Sequence, residues 1–515
     1  MAEINRRDFL IASTAVAAAP LGACIARPMP VRAPTASLIP VRETGTLVND
    51  VHSLLNATRV DRIVKPRAVE ELQEAIAAAR SAGKPVSVAG GRHAMGGQQF
   101  GDGTVLVDTR DLNRVLAFDA ENGSITVEGG IQWPALLEYL NRANDACETG
   151  TALGRQWGIY QKQTGADRLS VAGALSCNAH GRGLTLKPIV GQVLAFDLVD
   201  ANGHVRTCSR TSNADLFRLA IGGYGLFGVI TRVQLKLRPR VKVRRVVALG
   251  ETAGIIDRFD ERIRDGYLYG DYQLATDSTR DSFLARGVFS CYQPVPPDTP
   301  LTPNPTRFHP EDWARLTFYS HKYKRRAFEV YSSRYLKTSG QIYWADWQLS
   351  AAYVDNYHAD LDRALGANVK ATEMITEIYV PRPRLAAFMD DARVALGERK
   401  ANMIYGTVRL IEKDEETFLA WARDRYACVI FNLHVDHHAT GLDRARLDLQ
   451  RLLDRAIESD GSYFLTYHRF ARRDQLLRCY PQMPEFLRRK RLADPDERFS
   501  SDWYRHHVAL LSDLL

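Results

Sequence analysis

The sequence predicts an α+β protein built from more than one substructure. Three observations carry this. The 515 residues are too many for a single compact core. Residues 58–240 alternate short β-branched runs with amphipathic helical patterns. Past Pro239 the units lengthen and fill with aromatic residues such as Tyr343, Trp344, Trp347, Tyr353 and Tyr357.

The elements follow in order. Val60–Val64 is short and β-branched, a strand. Pro66 opens a helix over Val69–Ala82, with Val69, Leu72, Ile76 and Ala79 on one face and Gly83 past its end. Val86–Ala89 is a strand that runs into Gly90-Gly91-Arg92-His93-Ala94-Met95-Gly96-Gly97-Gln98. Bare glycine backbone can lie against a ligand, and a row of free amides makes an anion-binding concavity. Val105–Asp108, Val115–Phe118 and Ser124–Val127 read as strands, the last two joined by an Asn122-Gly123 turn. Trp133–Ala143 is a helix, Val193–Val199 and Val205–Cys208 a hairpin, Asp215–Ile221 a helix and Val229–Leu237 a strand. Gly223-Tyr224-Gly225-Leu226-Phe227-Gly228 fits GxGxxG, but the order is helix, glycines, strand. Dinucleotide binding of the Rossmann kind needs strand, glycines, helix, which excludes a NAD site here.

Composition narrows the class. Apolar content of 45% and charged content of 25% suit a globular protein. The net charge of +8 comes without a lysine tract or a nucleic-acid module, so it reads as a basic surface and no nucleic-acid partner is expected. The seven cysteines are scattered without a CxxC pair, against a zinc ribbon or redox dithiol. Residues 1–30 read as a leader. Asn5-Arg6-Arg7-Asp8-Phe9-Leu10 has the pattern of a twin-arginine export signal, and the apolar run from Phe9 to Ala19 is too short to span a membrane. Leu21-Gly22-Ala23-Cys24 resembles a lipobox, which would anchor Cys24 to lipid; an Ala-x-Ala-like cut nearby is the alternative. The expected location is the periplasm, free or membrane-anchored. Residues 31–57 are expected to be a linker.

Four segments resemble the FAD-binding oxidoreductases of the vanillyl-alcohol oxidase and p-cresol methylhydroxylase type. They are the Gly90–Gln98 loop, Ser170-Val171-Ala172-Gly173-Ala174-Leu175-Ser176-Cys177-Asn178-Ala179-His180-Gly181, the helix–glycine–strand run from Asp215 to Thr231, and the ending Lys490–Phe499 with Asp494-Pro495. The first three are similar to cytokinin dehydrogenases, and the second also to decaprenylphosphoryl-ribose, aldonolactone and alditol oxidases. The resemblance implies a two-subdomain FAD domain over 58–240. It also implies a substrate domain over 241–455, with an antiparallel sheet flanked by helices, and a C-terminal segment, 456–515, that returns to the first domain. By the same resemblance Ala89, Gly90, Gly91, Arg92, His93, Ala94 and Gln98 would wrap the pyrophosphate and flavin. Thr164, Gly173, Ser176, Asn178 and Gly181 would line the cofactor, Val229 and Ile230 the adenine side, and Lys490 the flavin's pyrimidine side. His93 aligns with the histidine that bonds the flavin covalently; the alternative is a loop histidine that only hydrogen-bonds it. The usual Gly-His-Ser is Arg92-His93-Ala94 here, and no cysteine stands near Gln163–Asp167 for a second covalent bond.

A flavin takes the hydride, and alcohol or amine oxidation also needs a base. The base candidates are Asp167, and Tyr467, His468 or Arg469 in Leu465-Thr466-Tyr467-His468-Arg469. By the resemblance His180 would lie near the flavin's polar edge as a hydrogen-bond or electrostatic partner of the reduced flavin, the alternative being a histidine that packs the loop. Arg382 and Arg409 are cations in apolar strands; they would hold an anionic or hydroxylated substrate, or pair with Glu377 or Glu412. Asn432-Leu433-His434-Val435-Asp436-His437-His438 invites a metal, but strand alternation puts His434 and Asp436 on one face and His437 on the other, so no metal is expected. The expectation is an FAD enzyme that oxidises a C–OH bond of a small polar or sugar-like molecule, with oxygen or a quinone as electron acceptor. Amine oxidation and a flavin-carrying electron-transfer subunit are the alternatives.

Overall fold

The computed structural model describes residues 45–148, 156–166, 168–348 and 357–515. The leader with Cys24, and Asp167, lie outside the described residues. Two small sheets build the first half. Arg62–Val64, Val105–Asp108 and Val86–Ala89 form a parallel sheet with Val105–Asp108 in the centre. The helix Val69–Ser81 is the crossover that carries the chain from Arg62–Val64 to Val86–Ala89 on the other edge. Its apolar face, Leu72, Ile76 and Ala79, packs on Val86, Val105 and Val107. The second sheet is antiparallel, in the order Val205–Ser209, Val193–Val199, Val229–Lys236, Ser124–Glu128, Val115–Asp119. Both expected hairpins, the one turning at Asn122-Gly123 and the one joining Val193–Val199 to Val205–Ser209, are present.

The second half is one antiparallel sheet of eight strands flanked by helices, the fold class the sequence led us to expect. Its order is Ile342–Trp344, Lys242–Glu251, Arg286–Pro294, Tyr269–Leu274, Met403–Ile411, Tyr426–Asp436, Ala371–Pro381, Ser462–Tyr463. Along Ala371–Pro381 the period of two puts Glu373, Ile375, Glu377 and Tyr379 on one face. Thr372, Thr376 and Ile378 point the other way.

The last residues come back to the first half. Val86 donates its amide to the Arg498 carbonyl at 2.6 Å, and Ser500 donates to the Val86 carbonyl at 2.9 Å. An ion pair holds this turn. Lys490 Nζ lies 2.6 Å from Asp494 Oδ2, and Asp494 also accepts from the amides of Arg498 and Phe499.

One boundary differs from the sequence reading. Residues 45–57 are part of the fold, not linker. Thr46–Val48 pairs with Thr58–Val60. Between them Asp50 accepts from the amides of His52, Ser53 and Leu54 and from the Ser53 hydroxyl. The polar residues that read as linker are the partners of this turn. Among the described residues, no helix is long and apolar enough to cross a membrane.

Candidate functional site

The Gly90–Gln98 loop leaves the end of the parallel sheet and presses on the segment 168–170. A Cβ on Gly90 would sit 2.0 Å from Ser170 Oγ, and one on Gly91 2.2 Å from the Arg168 carbonyl oxygen. Only glycine allows this approach, so these two glycines serve packing of one loop on the other as well as access to a ligand. Two further bonds fix the loop. Gln98 donates to the Leu465 carbonyl at 2.7 Å, and Met95 donates to the Thr466 carbonyl at 2.9 Å.

Beside this junction runs a cleft of about 1170 Å³. The resemblance expects FAD here, and the lining fits that cofactor. Gly90, Gly91, Gly173, Gly225 and Gly228 give it a wall of backbone. The amides of Gly91, Arg92 and Ala94 make no hydrogen bond among the described residues. Buried Arg92 Nε and Gln99 Oε1, both on the cleft, have no partner there either. Such orphaned groups are what a phosphate and a flavin edge would satisfy.

The structure brings Gly90, Gly91, Arg92, His93, Ala94, Gln98, Gly173, Ser176, Val229, Ile230, His180 and Tyr467 to this one cleft. Six other expected residues stand elsewhere. Ala89 ends its strand behind the loop, its carbonyl accepting from Thr109. Asn178 is fully buried under the cleft, bonded to Asp414 and the Val190 amide. Gly181 donates to Gln161. Thr164 faces a neighbouring cavity instead. Lys490 is buried with Asp494 and cannot also reach a cofactor. His468 sits on the far side of the Ala371–Pro381 strand, bonded to the Thr376 hydroxyl at 3.1 Å, while its neighbour Tyr467 faces the cleft. Burial holds His468 down at about 4.

His93 carries Nδ1 2.9 Å from His52 Nε2. Burial first, then the His52 imidazole, pushes His93 well below the ordinary histidine range. A neutral imidazole keeps a nitrogen lone pair that an imidazolium lacks. His52 was not a candidate in the sequence, because nothing in Asp50–Asn56 marks it.

Next to the cleft lies a second cavity of about 1630 Å³. His52, Gln163, Gly165, Ile375 and Tyr467 line both, so the two spaces share one wall. The second cavity is polar and aromatic. Arg182, Asp271, Gln273, Arg409, Asn432 and five tyrosines face it. Arg182 is tied to Asp271 at 2.9 Å. Arg409 is 3% exposed, and its Nε and Nη1 have no partner among the described residues. Arg382, the other candidate, pairs with Glu412 at 2.9 Å and stands away from both cavities.

Between the two cavities sits Glu377, which the sequence reading treated only as a neighbour. It is fully buried. His180 Nε2 lies 2.8 Å from its Oε2, the Tyr379 hydroxyl donates to Oε2 at 2.8 Å, and the Tyr467 hydroxyl donates to Oε1 at 2.8 Å. Burial would raise this carboxyl, but the His180 charge and hydrogen bond, the Arg409 charge and the Tyr467 hydroxyl outweigh it and leave it below the usual range. Burial, then Glu377, push the Tyr467 and Tyr379 hydroxyls well above the tyrosine range. Those two stay protonated and hold the carboxylate; neither acts as a base at neutral pH. Tyr379, Trp421 and Phe464 wall in the His180 ring. The i, i+4 spacing of Glu373 and Glu377 in a strand was the available signal, since both fall on one face.

Comparison with known proteins agrees with this geometry. The family described as FAD binding domain matches residues 60–209. L-gulonolactone oxidase of Bos taurus is 30% identical over 200 residues, 39% of this chain and 42% of that protein. L-gulono-1,4-lactone dehydrogenase of Mycobacterium tuberculosis is 30% identical over 199 residues, again 39% and 42%. Cytokinin dehydrogenase 6 of Oryza sativa subsp. japonica is 30% identical over 247 residues, 42% and 44%. The chain thus spans about two fifths of the length of the curated relatives it matches.

Proposed function

We propose that this chain, which carries an FAD-binding domain of the p-cresol methylhydroxylase type related to those of gulonolactone oxidases and cytokinin dehydrogenases, oxidises a C–OH bond of a small, hydroxyl-rich molecule. One observation carries the reading: the cavity that shares a wall with the cofactor cleft. A subunit that only passes electrons needs an exposed flavin edge. Here a polar space lies against the cleft, with Tyr467 at the border. Its hydrogen-bonding side chains suit a polyhydroxylated donor better than an apolar amine.

Bound FAD supplies the hydride acceptor. Gly90–Ala94 and Gly173 would hold its phosphates, and His93 would bond its ring covalently. Glu377 faces the second cavity and is ionised at neutral pH, so it can accept the hydroxyl proton as the hydride leaves. His180, on the other side of that carboxylate, stabilises the charge at rest. Tyr467 and Tyr379 fix the carboxylate's orientation. The unpartnered edge of Arg409 would grip a substrate oxygen and set which carbon faces the flavin. The leader supports export of the folded protein, with or without lipid on Cys24, and oxygen or a quinone as final acceptor.

The test is anaerobic. Purified yellow protein is mixed with aldonolactones, alditols and amines while flavin absorbance is followed. Bleaching by hydroxylated donors is expected. Bleaching by amines alone would replace the proposal with C–N oxidation. Bleaching by none, with reduction by a partner protein, would make the chain an electron carrier.

A further inference from the structure

A second buried cluster lies on the same strand face as Glu377, one step further from the flavin cleft. Glu373 is at its centre. His321 Nε2 lies 2.8 Å from Glu373 Oε1, His434 Nδ1 3.6 Å from the same oxygen, and His358 Nδ1 2.9 Å from Oε2. The Tyr357 hydroxyl donates to Oε2. These residues come from four places: the helix Pro310–Lys322, the start of the helix His358–Leu365, and the paired strands Ala371–Pro381 and Tyr426–Asp436. In the sheet Glu373 stands directly opposite His434.

Three imidazoles around one carboxylate are more than an ion pair requires. The hydrogen bonding is incomplete as well. His358 is 4% exposed, and neither of its ring nitrogens makes an aligned hydrogen bond among the described residues. His434 Nδ1, also buried, has none. His321 Nδ1 faces the Thr317 carbonyl at 2.8 Å, which places its proton there and turns the Nε2 lone pair toward the Glu373 oxygen. In a neutral ring that sets two acceptors against each other. A metal-ligating histidine has this arrangement, one nitrogen donating to a backbone carbonyl and the other bare.

We infer that His321, Glu373 and His434, with His358 as a fourth donor, form a site for a divalent transition metal of the zinc class. The three ligand atoms of His321, Glu373 and His434 all lie within 4.8 Å of one another. Ligand atoms around a tetrahedral zinc ion, with bonds of about 2.0–2.1 Å, stand roughly 3.3 Å apart, so the side chains close in by up to about 1.5 Å to complete the site. Imidazole and carboxylate donors select zinc or iron over magnesium and calcium. The hydrogen-bond network of the sequence motif around His434 does not contribute a second ligand. His437 points to the other face and bonds the Thr372 hydroxyl, as strand alternation requires. The partners come instead from distant segments, which is why the spacing of the histidines gave no sign of the site. Glu373 and His358 also face the second cavity, so a bound ion would offer an open position to an oxygen of whatever fills it. The metal site does not depend on the redox reading.

The experiment uses the full flavin-containing protein. It is stripped with chelator, dialysed against zinc or cobalt(II), and its metal content measured by mass spectrometry; cobalt is followed through its d–d bands on the red side of the flavin spectrum. One metal per chain is expected, with the intense bands of a four-coordinate ion. His321→Ala, His434→Ala and the shape-conserving Glu373→Gln are each expected to weaken binding by 10-fold or more, on the order of a lost ligand. His180→Ala, in the neighbouring His180–Glu377–Cys428 group, is expected to keep the metal. Wild-type protein that takes up no zinc or cobalt overturns the assignment, as does a metal that survives all three ligand variants or leaves with His180→Ala. Wild-type uptake and the cobalt spectrum decide the matter even where a variant fails to fold.

Discussion

Glu377→Gln isolates the charge at the centre of the candidate site. The carboxylate accepts from His180, Tyr379 and Tyr467, each at 2.8 Å. A glutamine keeps the shape but has one acceptor oxygen, and its amide nitrogen must face a donor. At least one charge-assisted bond is lost, about 1.5–3 kcal/mol. The variant also lacks the proton acceptor, so substrate-driven flavin bleaching should slow by roughly 10²- to 10⁴-fold. The assay is anaerobic stopped-flow with the best donor from the panel above, read against an unchanged resting flavin spectrum. The pH profile adds a second reading. Because the folded protein holds Glu377 below its ordinary value, the carboxylate is ionised throughout the neutral range. The bleaching rate should therefore show no step from this group between pH 7 and about 4.3, the unperturbed glutamate value. The same ionisation stabilises the fold above that value, and the stabilisation is lost as pH falls toward the depressed folded pKa. Glu377→Gln protein that bleaches at the wild-type rate, over the same pH range, would refute the role.

Other outcomes follow from the same geometry. Asp494→Asn leaves the Lys490 ammonium buried without its partner, so urea unfolding should show a loss of about 3–5 kcal/mol, and Lys490→Met in the same chain should recover part of it. Acid-precipitated wild-type protein should stay yellow, while a His93→Ala pellet should be white; a white wild-type pellet refutes the covalent bond. Arg409→Ala should raise KM by about 10-fold or more with a smaller change in kcat, and Arg409→Lys should not restore it, because a point charge cannot replace a fork of donors.

Much of the first half was legible because its signals are local. Asn122-Gly123 fixes a hairpin, Gly83 stops a helix, and Gly90–Gln98 marks a loop against a ligand. The cofactor cleft could be expected at residue level from such runs. The catalytic region could not. Glu377 and Arg409 share a cavity because an eight-stranded sheet sets strands from residues 371, 403 and 426 side by side, and His52 reaches it from the turn between Thr46–Val48 and Thr58–Val60. No spacing along the chain reports that pairing. Lys490 and His468 show the converse error. A lysine before Asp494-Pro495 reads as available, yet its i, i+4 carboxylate takes it. Tyr467 and His468 read as equivalent, yet neighbours on an extended segment face opposite sides.

The pairing of Val86 with Arg498–Ser500 has a consequence for biosynthesis. The strand that launches the glycine loop lacks its last neighbour until residues 498–500 have left the ribosome. Nascent chains shorter than that would therefore carry an incomplete nucleotide cradle, and cofactor capture waits on that distant segment.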